Sequence, residues 1–247
     1  MVFILNKRKA SFHWSGGKDS ALALYYVLQS NLFEINDLWT SFSEGNKRVS
    51  MHGLGESLLE KQVEQIGINL KKVFLKEGIQ MTDYNLLMSK NYKESKTLDV
   101  STHIFGDIHL ADLKRYRDEQ LENNGLVGHY PLWQKNTKAL LKEFIDLGFK
   151  AIVICVDSRK LGKEFLGREI NHDFFKDLPS NVDPCGENGE FHTFVYDGPI
   201  FNKPIDFKMG KEVFKEYEIS EHAENDCFKK NISKEIAGFW FCDLEEV

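Results

Sequence analysis

Ser15-Gly16-Gly17-Lys18-Asp19-Ser20 is the stretch on which the fold turns. Before it, Lys9 to Trp14 is a short run of strand character. After it, Asp19 to Gln29 carries Ala21, Leu22, Leu24, Tyr25 and Leu28 at helical spacing. A glycine turn between a strand and a helix is a cradle for an anion. Glycine lets the backbone come close and take positive φ, and a helix N-terminus offers unpaired N–H groups and partial positive charge. Lys18 adds a full charge, and Ser15 and Ser20 add hydroxyl donors. Asp19 would repel a bare phosphate, so its presence points to a polyphosphate carrying Mg2+, with Asp19 as the metal's carboxylate. The loop is neither of two commoner phosphate loops. A Walker A motif would need glycine where Phe12 stands, and G-x-G-x-x-G is absent.

Outward from this loop the chain alternates. Strand-like runs are read at Asp37 to Phe42, Leu70 to Leu75, Val100 to Phe105 and Leu126 to Leu132. Helices are read at Glu56 to Ile66, Tyr84 to Thr97 and Ala111 to Asn123. Strands alternating with helices imply crossover connections and a parallel sheet. Pro131-Leu132-Trp133 punctuates the pattern, and a domain boundary is placed near residue 133. Beyond it come a helix (Thr137 to Leu147), an apolar strand (Ala151 to Val156) and a helical stretch (Phe165 to Phe175). From Ser180 the chain becomes rich in glycine and proline, with strand character at Phe191 to Tyr196 and Gly238 to Leu244.

Composition narrows the class. The chain has 247 residues, 42% hydrophobic and 28% charged, which is ordinary globular composition. Nineteen Phe predict an aromatic core. The net charge of −6 argues against nucleic acid as the main partner, since such binders carry a basic stripe. No run approaches the roughly 18 apolar residues of a membrane helix. Lys7, Arg8 and Lys9 follow the apolar Val2 to Leu5, the reverse of a signal peptide's order. Cys155, Cys185, Cys227 and Cys242 form no C-x-x-C pair, so reduced thiols and a cytoplasmic location are expected. Asn231-Ile232-Ser233 then has no role as a glycosylation site.

A second block stands out at Asp183-Pro184-Cys185-Gly186-Glu187-Asn188-Gly189-Glu190-Phe191-His192-Thr193-Phe194-Val195. Glu187 and Glu190 flank a glycine turn ahead of a strand. Two close carboxylates can hold Mg2+, orient ammonium or supply a general base, and like-charge pairs push one pKa upward. Asp107 follows a strand end, where open α/β sheets gather ligands. His52 sits in a glycine-flanked loop after the second strand, suited to a nucleotide contact. Cys185 has no sequence neighbour that would lower its pKa, so it reads as structural.

These pieces carry a resemblance. Ser15 to Ser20 matches the SGGxDS signature of the PP-loop ATP pyrophosphatases, and Gly186 to Val195 is similar to the GExGExxTFV segment of their diphthine–ammonia ligase family. Arg48-Val49-Ser50-Met51-His52-Gly53, Gly106-Asp107-Ile108, Pro131-Leu132-Trp133, Phe165-Leu166-Gly167-Arg168 and Asp197-Gly198-Pro199-Ile200-Phe201 follow in the family's order. The chain is identified as a bacterial-type variant of that family. It has His192 where many members carry a third acid and Asn188 where they carry glycine.

The resemblance implies an α/β protein: a HUP-like (Rossmann-like) parallel-sheet domain over residues 1–133 and a smaller C-terminal α/β domain over residues 134–247. It implies ATP split between the α and β phosphates with Mg2+, an adenylated carboxylate, and attack by ammonia. Ser15, Gly16, Gly17, Lys18, Asp19, Ser20, His52 and Asp107 would bind nucleotide, Asp19 the metal. Lys18, Asp19, Glu187 and Glu190 would be catalytic. The family's arginine falls on Arg115 or Arg117. Partners would be ATP, free ammonium and a carboxylate acceptor, small molecule or protein, and a homodimer stays open. Two other readings use the same loop: a tRNA-modifying PP-loop enzyme and an ATP-binding sensor without catalysis.

Overall fold

The computed structural model describes residues 7–49, 53–220 and 234–247. Five strands, β1 (Arg8–His13), β2 (Phe33–Ser43), β3 (Leu70–Leu75), β4 (Thr102–Ile104) and β5 (Val127–His129), form one sheet in the order β3-β2-β1-β4-β5. Every pairing is parallel. Helices α1 (Lys18–Ser30), α2 (Glu56–Ile66), α3 (Met81–Thr97) and α4 (Ala111–Glu122) connect successive strands. This is the Rossmann-like sheet the alternation predicted. The strand order reverses direction around β1, so the glycine loop leaves the sheet beside the switch point, where such sheets take ligands.

The helices follow their local chemistry. Ala21, Leu22, Leu24 and Val27 all bury, which seats α1 against the sheet. Gly67, at φ 77°, ends α2 and returns its N–H to Val63 O. In α4 Leu121 is the one buried residue among those described, and its other positions carry the charge pattern of a solvated face.

The second half is built differently. Strands β6 (Lys150–Asp157), β7 (Phe191–Asp197), β8 (Phe207–Ser220) and β9 (Lys234–Glu246) form an antiparallel sheet in the order β7-β6-β9-β8. Helices α5 (Thr137–Asp146) and α6 (His172–Asp177) accompany it. The apolar core is continuous across both sheets, joining Phe12 and Leu24 to Ile152, Phe191 and Phe194. Seven of its largest fully buried side chains and those of the neighbouring cluster are Phe12, Phe42, Phe105, Phe144, Phe174, Phe191 and Phe194, the aromatic interior expected from composition.

Three expectations need correction. Phe165 to Phe175 is not one helix. Gly167, at φ 75°, breaks it. The chain instead makes a 3-10 turn at Lys163–Phe165 and runs beside β6, where Gly167 and Ile170 donate to Val153 and Ala151 carbonyls, before Asn171 caps α6. The fifth strand stops at His129, because Tyr130 to Trp133 forms a turn around Pro131. Strand β8 was not expected, since its lysines and glutamates disguise an edge strand that pairs on one side with β9 alone. Among the described residues no helix is long and apolar enough to cross a membrane.

Candidate functional site

The glycine loop closes on itself first. Gly16 holds φ 81°. Gly17 N donates to Ser15 Oγ at 3.3 Å, Ser15 Oγ bonds Ser20 Oγ at 3.1 Å, and Ser20 Oγ donates to Gly17 O at 2.9 Å. The segment after β4 presses against the start of α1. A Cβ on Gly106 would stand 3.2 Å from the Asp19 carbonyl and the Ser20 Cα.

The two sequence signatures, more than 160 positions apart, then meet. Lys18 N donates to Thr193 Oγ1 at 3.0 Å, and Val195 N donates to Gly16 O at 3.0 Å. Lys18 Nζ is buried, with Asp19 Oδ2 at 2.7 Å, the Cys185 carbonyl as a second acceptor and the Phe191 ring 5.1 Å away. Burial alone would lower the Lys18 pKa, but the Asp19 carboxylate beside it wins and the pKa is raised. Burial raises the Asp19 pKa, Asp183 adds to it, and Lys18 opposes both.

Glu187 and Glu190 do different work. Glu187 Oε2 accepts from Ile108 N at 3.3 Å and His109 N at 3.1 Å, which ties the glycine turn to the segment after β4. Burial and the Asp19 charge push its pKa up to about 7 against the pull of Lys18, and Asp107 adds to the rise. Glu190 is 1% exposed and faces its own turn. Its carboxylate accepts from Asp183 N (3.0 Å), Asn188 N (2.9 Å) and Asn188 Nδ2 (2.9 Å). Asn188 is thus one of the two residues that hold Glu190.

Asp107 lies beside the same turn and pairs with Arg117, whose guanidinium rests 4.5 Å over the Phe105 ring. Arg115 bonds Asp112 one turn back along α4, with its side chain 65% exposed. Of the two arginines, Arg117 is the one that pairs with Asp107 beside the Glu187 turn. Arg168 pairs with Asp177 at the surface. His52 lies outside the described residues, as do Ser50, Met51, Cys227 and Asn231. Burial raises the Cys185 thiol pKa, in keeping with a structural residue.

Three residues of the site escaped the sequence reading. Thr193 caps Lys18 N. Asp183 accepts from Cys185 N at 2.8 Å and from Thr137 Oγ1 at 2.8 Å, shaping the turn. Gln62 reaches across from α2 to Gly16 O. Thr193 and Gln62 act through contacts distant in sequence; Asp183 and Thr193 lay within the quoted glycine-rich block, whereas Gln62 carried no local signal.

Between the β2–α2 connection and the antiparallel sheet lies a cavity of about 490 Å3. Ser43, Arg48, Val49 and Gly53 line it from the β2–α2 connection, and His192, Tyr217, Phe239 and Phe241 from the antiparallel sheet. Its lining includes no residue of the glycine loop, to which it is linked through chain neighbours. His192 neighbours Thr193, and Leu54, next to Gly53, lies against Gly16. Burial and the nearby Lys18 charge lower the His192 pKa to about 4, so its imidazole is neutral at physiological pH.

Mg2+ fits this donor set in a limited way. Among the described residues no group of three or more His, Cys, Asp or Glu is arranged to hold a metal. Mg2+ is commonly held by one or two carboxylates together with substrate phosphates, and Asp19 at the helix N-terminus suits that arrangement. The site therefore combines a glycine loop at a helix N-terminus, a buried cation and a carboxylate whose pKa burial and Asp19 push up to about 7.

Residues 8–127 match the family model for the diphthamide synthase N-terminal domain, and residues 136–234 match that for its C-terminal domain. The diphthine–ammonia ligase of Schizosaccharomyces pombe is 33% identical over 129 residues, 49% of this chain and 20% of that protein. The human diphthine–ammonia ligase is 31% identical over 156 residues, 60% of this chain and 57% of that one. The chain thus spans about half of the human relative's length and a fifth of the yeast one's. A solved U34-tRNA thiolase, NcsA from Methanococcus maripaludis, aligns with a TM-score of 0.37 at 20% identity over 58% of each chain.

Proposed function

The chain belongs to the diphthamide synthase family, matched over residues 8–127 and 136–234, and from that premise we propose that it is an ATP-dependent amide-forming ligase. One observation carries the reading: the glycine loop and the Glu187 turn converge on Lys18, which bonds both Asp19 and the Cys185 carbonyl. A phosphate cradle and a titratable carboxylate face one reaction space.

Ser15, Ser20, the Lys18 ammonium and the N-terminus of α1 would hold the β and γ phosphates of ATP. Asp19 would hold Mg2+, which neutralises phosphate charge when bound. A carboxylate of the acceptor would attack the α phosphorus and pyrophosphate would leave. The step matters because a carboxylate is a poor acyl donor and AMP is a good leaving group. Ammonia would then displace AMP. Glu187, poised near pH 7, would take the proton from ammonium. Glu190 would shape the turn that carries Glu187, which replaces the catalytic role first expected of it. Arg117 and Asp107 would border the acceptor side.

The cavity between the β2–α2 connection and the antiparallel sheet would seat the nucleoside, since Ser43 places it at the carboxyl end of β2 and His192 places it on the strand that bonds the loop. The division near residue 133 belongs to the same proposal, supported by the change from parallel to antiparallel pairing. The acceptor, a small molecule or a protein, would enter between the two parts. A cytoplasmic setting is in keeping with the buried free thiols Cys155, Cys185 and Cys242.

The test is ammonium dependence. Product amide should form in proportion to ammonium, and Glu187→Gln should lower kcat at least about 100-fold, the range of general-base loss. Amide formation by Glu187→Gln at the wild-type rate would remove Glu187 from the mechanism.

A further inference from the structure

We propose that Gln62 is the positioning residue of the glycine loop, a role that rests on reading the loop as an anion site. Gln62 stands on α2 with its side chain 0% exposed. Its Oε1 accepts from Trp14 Nε1 at 3.1 Å. Its Nε2 donates to Gly16 O at 3.0 Å and to Val195 O at 2.6 Å. A primary amide has two N–H donors, and here both are used. The indole N–H of Trp14 can only donate. It therefore holds Oε1 on its own side and turns Nε2 toward the two carbonyls, so the amide has one orientation.

The consequence falls on the peptide between Gly16 and Gly17. Its carbonyl receives two donors, Gln62 Nε2 and Val195 N. In a planar trans peptide the N–H points opposite to the carbonyl. Gln62 therefore holds the carbonyl of Gly16 toward α2 and β7 and turns Gly17 N–H to the opposite side of the peptide, where it donates to Ser15 Oγ within the loop. Steric fit reinforces the bond: a Cβ on Gly16 would lie 2.8 Å from Gln62 Oε1. The same amide grips Val195 of β7, the strand that follows the Glu187 turn, so loop and turn are held by one side chain.

Two variants of the full chain test this, Gln62→Met, which keeps volume and loses the donors, and Gln62→Glu, which keeps shape and titrates. Inorganic pyrophosphate is the probe by calorimetry, and amide hydrogen exchange of residues 16–18 is followed without ligand. Gln62→Met loses all three bonds of the amide; of these the one to Gly16 O acts on the loop, so pyrophosphate should weaken about tenfold and exchange at Gly17 and Lys18 should speed up. Gln62→Glu should bind pyrophosphate better at low pH, where the protonated acid still donates, and lose it as pH rises, unlike the parent protein. Wild-type exchange at residues 16–18 in Gln62→Met, or a Gln62→Glu pH profile parallel to wild type, would overturn the assignment. If the parent protein does not bind pyrophosphate, the nucleotide reading fails, and exchange at residues 16–18 still decides the role of Gln62.

Discussion

Glu187 shows how one residue's surroundings set its chemistry. Its pKa of about 7 lies above the ordinary carboxyl value of 4.5. Folding thus favours its protonated form. The cost of ionising it in place is absent below pH 4.5 and complete above pH 7. Glu187→Gln should accordingly melt higher than wild type at pH 8, by a gain of order 2 kcal/mol after allowing for solvent, and at the same temperature as wild type at pH 4. Thermal melts at the two pH values read this directly. A gain at pH 4 as large as at pH 8 would mean that the pKa is ordinary. Turnover should show the opposite trend in the wild type, rising as Glu187 ionises through pH 7, and Glu187→Gln should lack that limb. Asn188→Gly removes one of the donors to Glu190 and adds backbone freedom, so it should loosen the turn and lower stability by about 1 kcal/mol, measured by denaturant midpoint.

At the scale of elements, the glycine loop and the strands beneath it are set by close approach. Gly16→Ala would place a Cβ against Gln62 and Leu54 at positive φ. It should cost about 1–3 kcal/mol and weaken pyrophosphate binding, whereas Gly45→Ala, with no neighbour within reach, should leave binding unchanged. Beneath the loop, His13 Nε2 and His103 Nδ1 are 3.1 Å apart, and Ser95 Oγ is 3.1 Å from His103 Nε2. Burial lowers the pKa of both histidines, that of His103 to about 3. They fold neutral and protonate more readily unfolded, so stability should fall as pH drops below the ordinary 6.5 toward 3. His103→Gln should shrink the difference in melting temperature between pH 7 and pH 4; an undiminished difference would place the acid sensitivity elsewhere. Much of this layer was legible. The helical spacing in α1 and α2, and the ordered motifs, reflect local rules of periodicity and glycine turns. The short α6, the edge strand β8 and the partners of Gln62, Thr193 and Arg117 depend on contacts between distant segments. One sequence carries no local mark of those contacts, and the choice of Arg117 over Arg115 needed the pairing with Asp107.

At the scale of the whole molecule, two sheets of different pairing share a core and enclose the cavity between the β2–α2 connection and β9. Phe241 of β9 reaches this wall, within 3.4 Å of a Cβ placed on Gly53. Stacking a base on an aromatic ring contributes about 1–3 kcal/mol. Phe241→Ala should therefore raise KM for ATP about tenfold while leaving pyrophosphate affinity unchanged; equal losses for both would move the nucleoside out of this cavity. The proposed reaction itself rests on where ATP is cut. The direct measurement is the nucleotide product, after incubation of the protein and of Asp19→Ala with Mg-ATP, ammonium and a small-molecule extract of its source cells. AMP and pyrophosphate in equal amounts, dependent on the extract and lost in a folded Asp19→Ala, are the expected outcome. ADP and orthophosphate, or undiminished AMP release by Asp19→Ala, would contradict it.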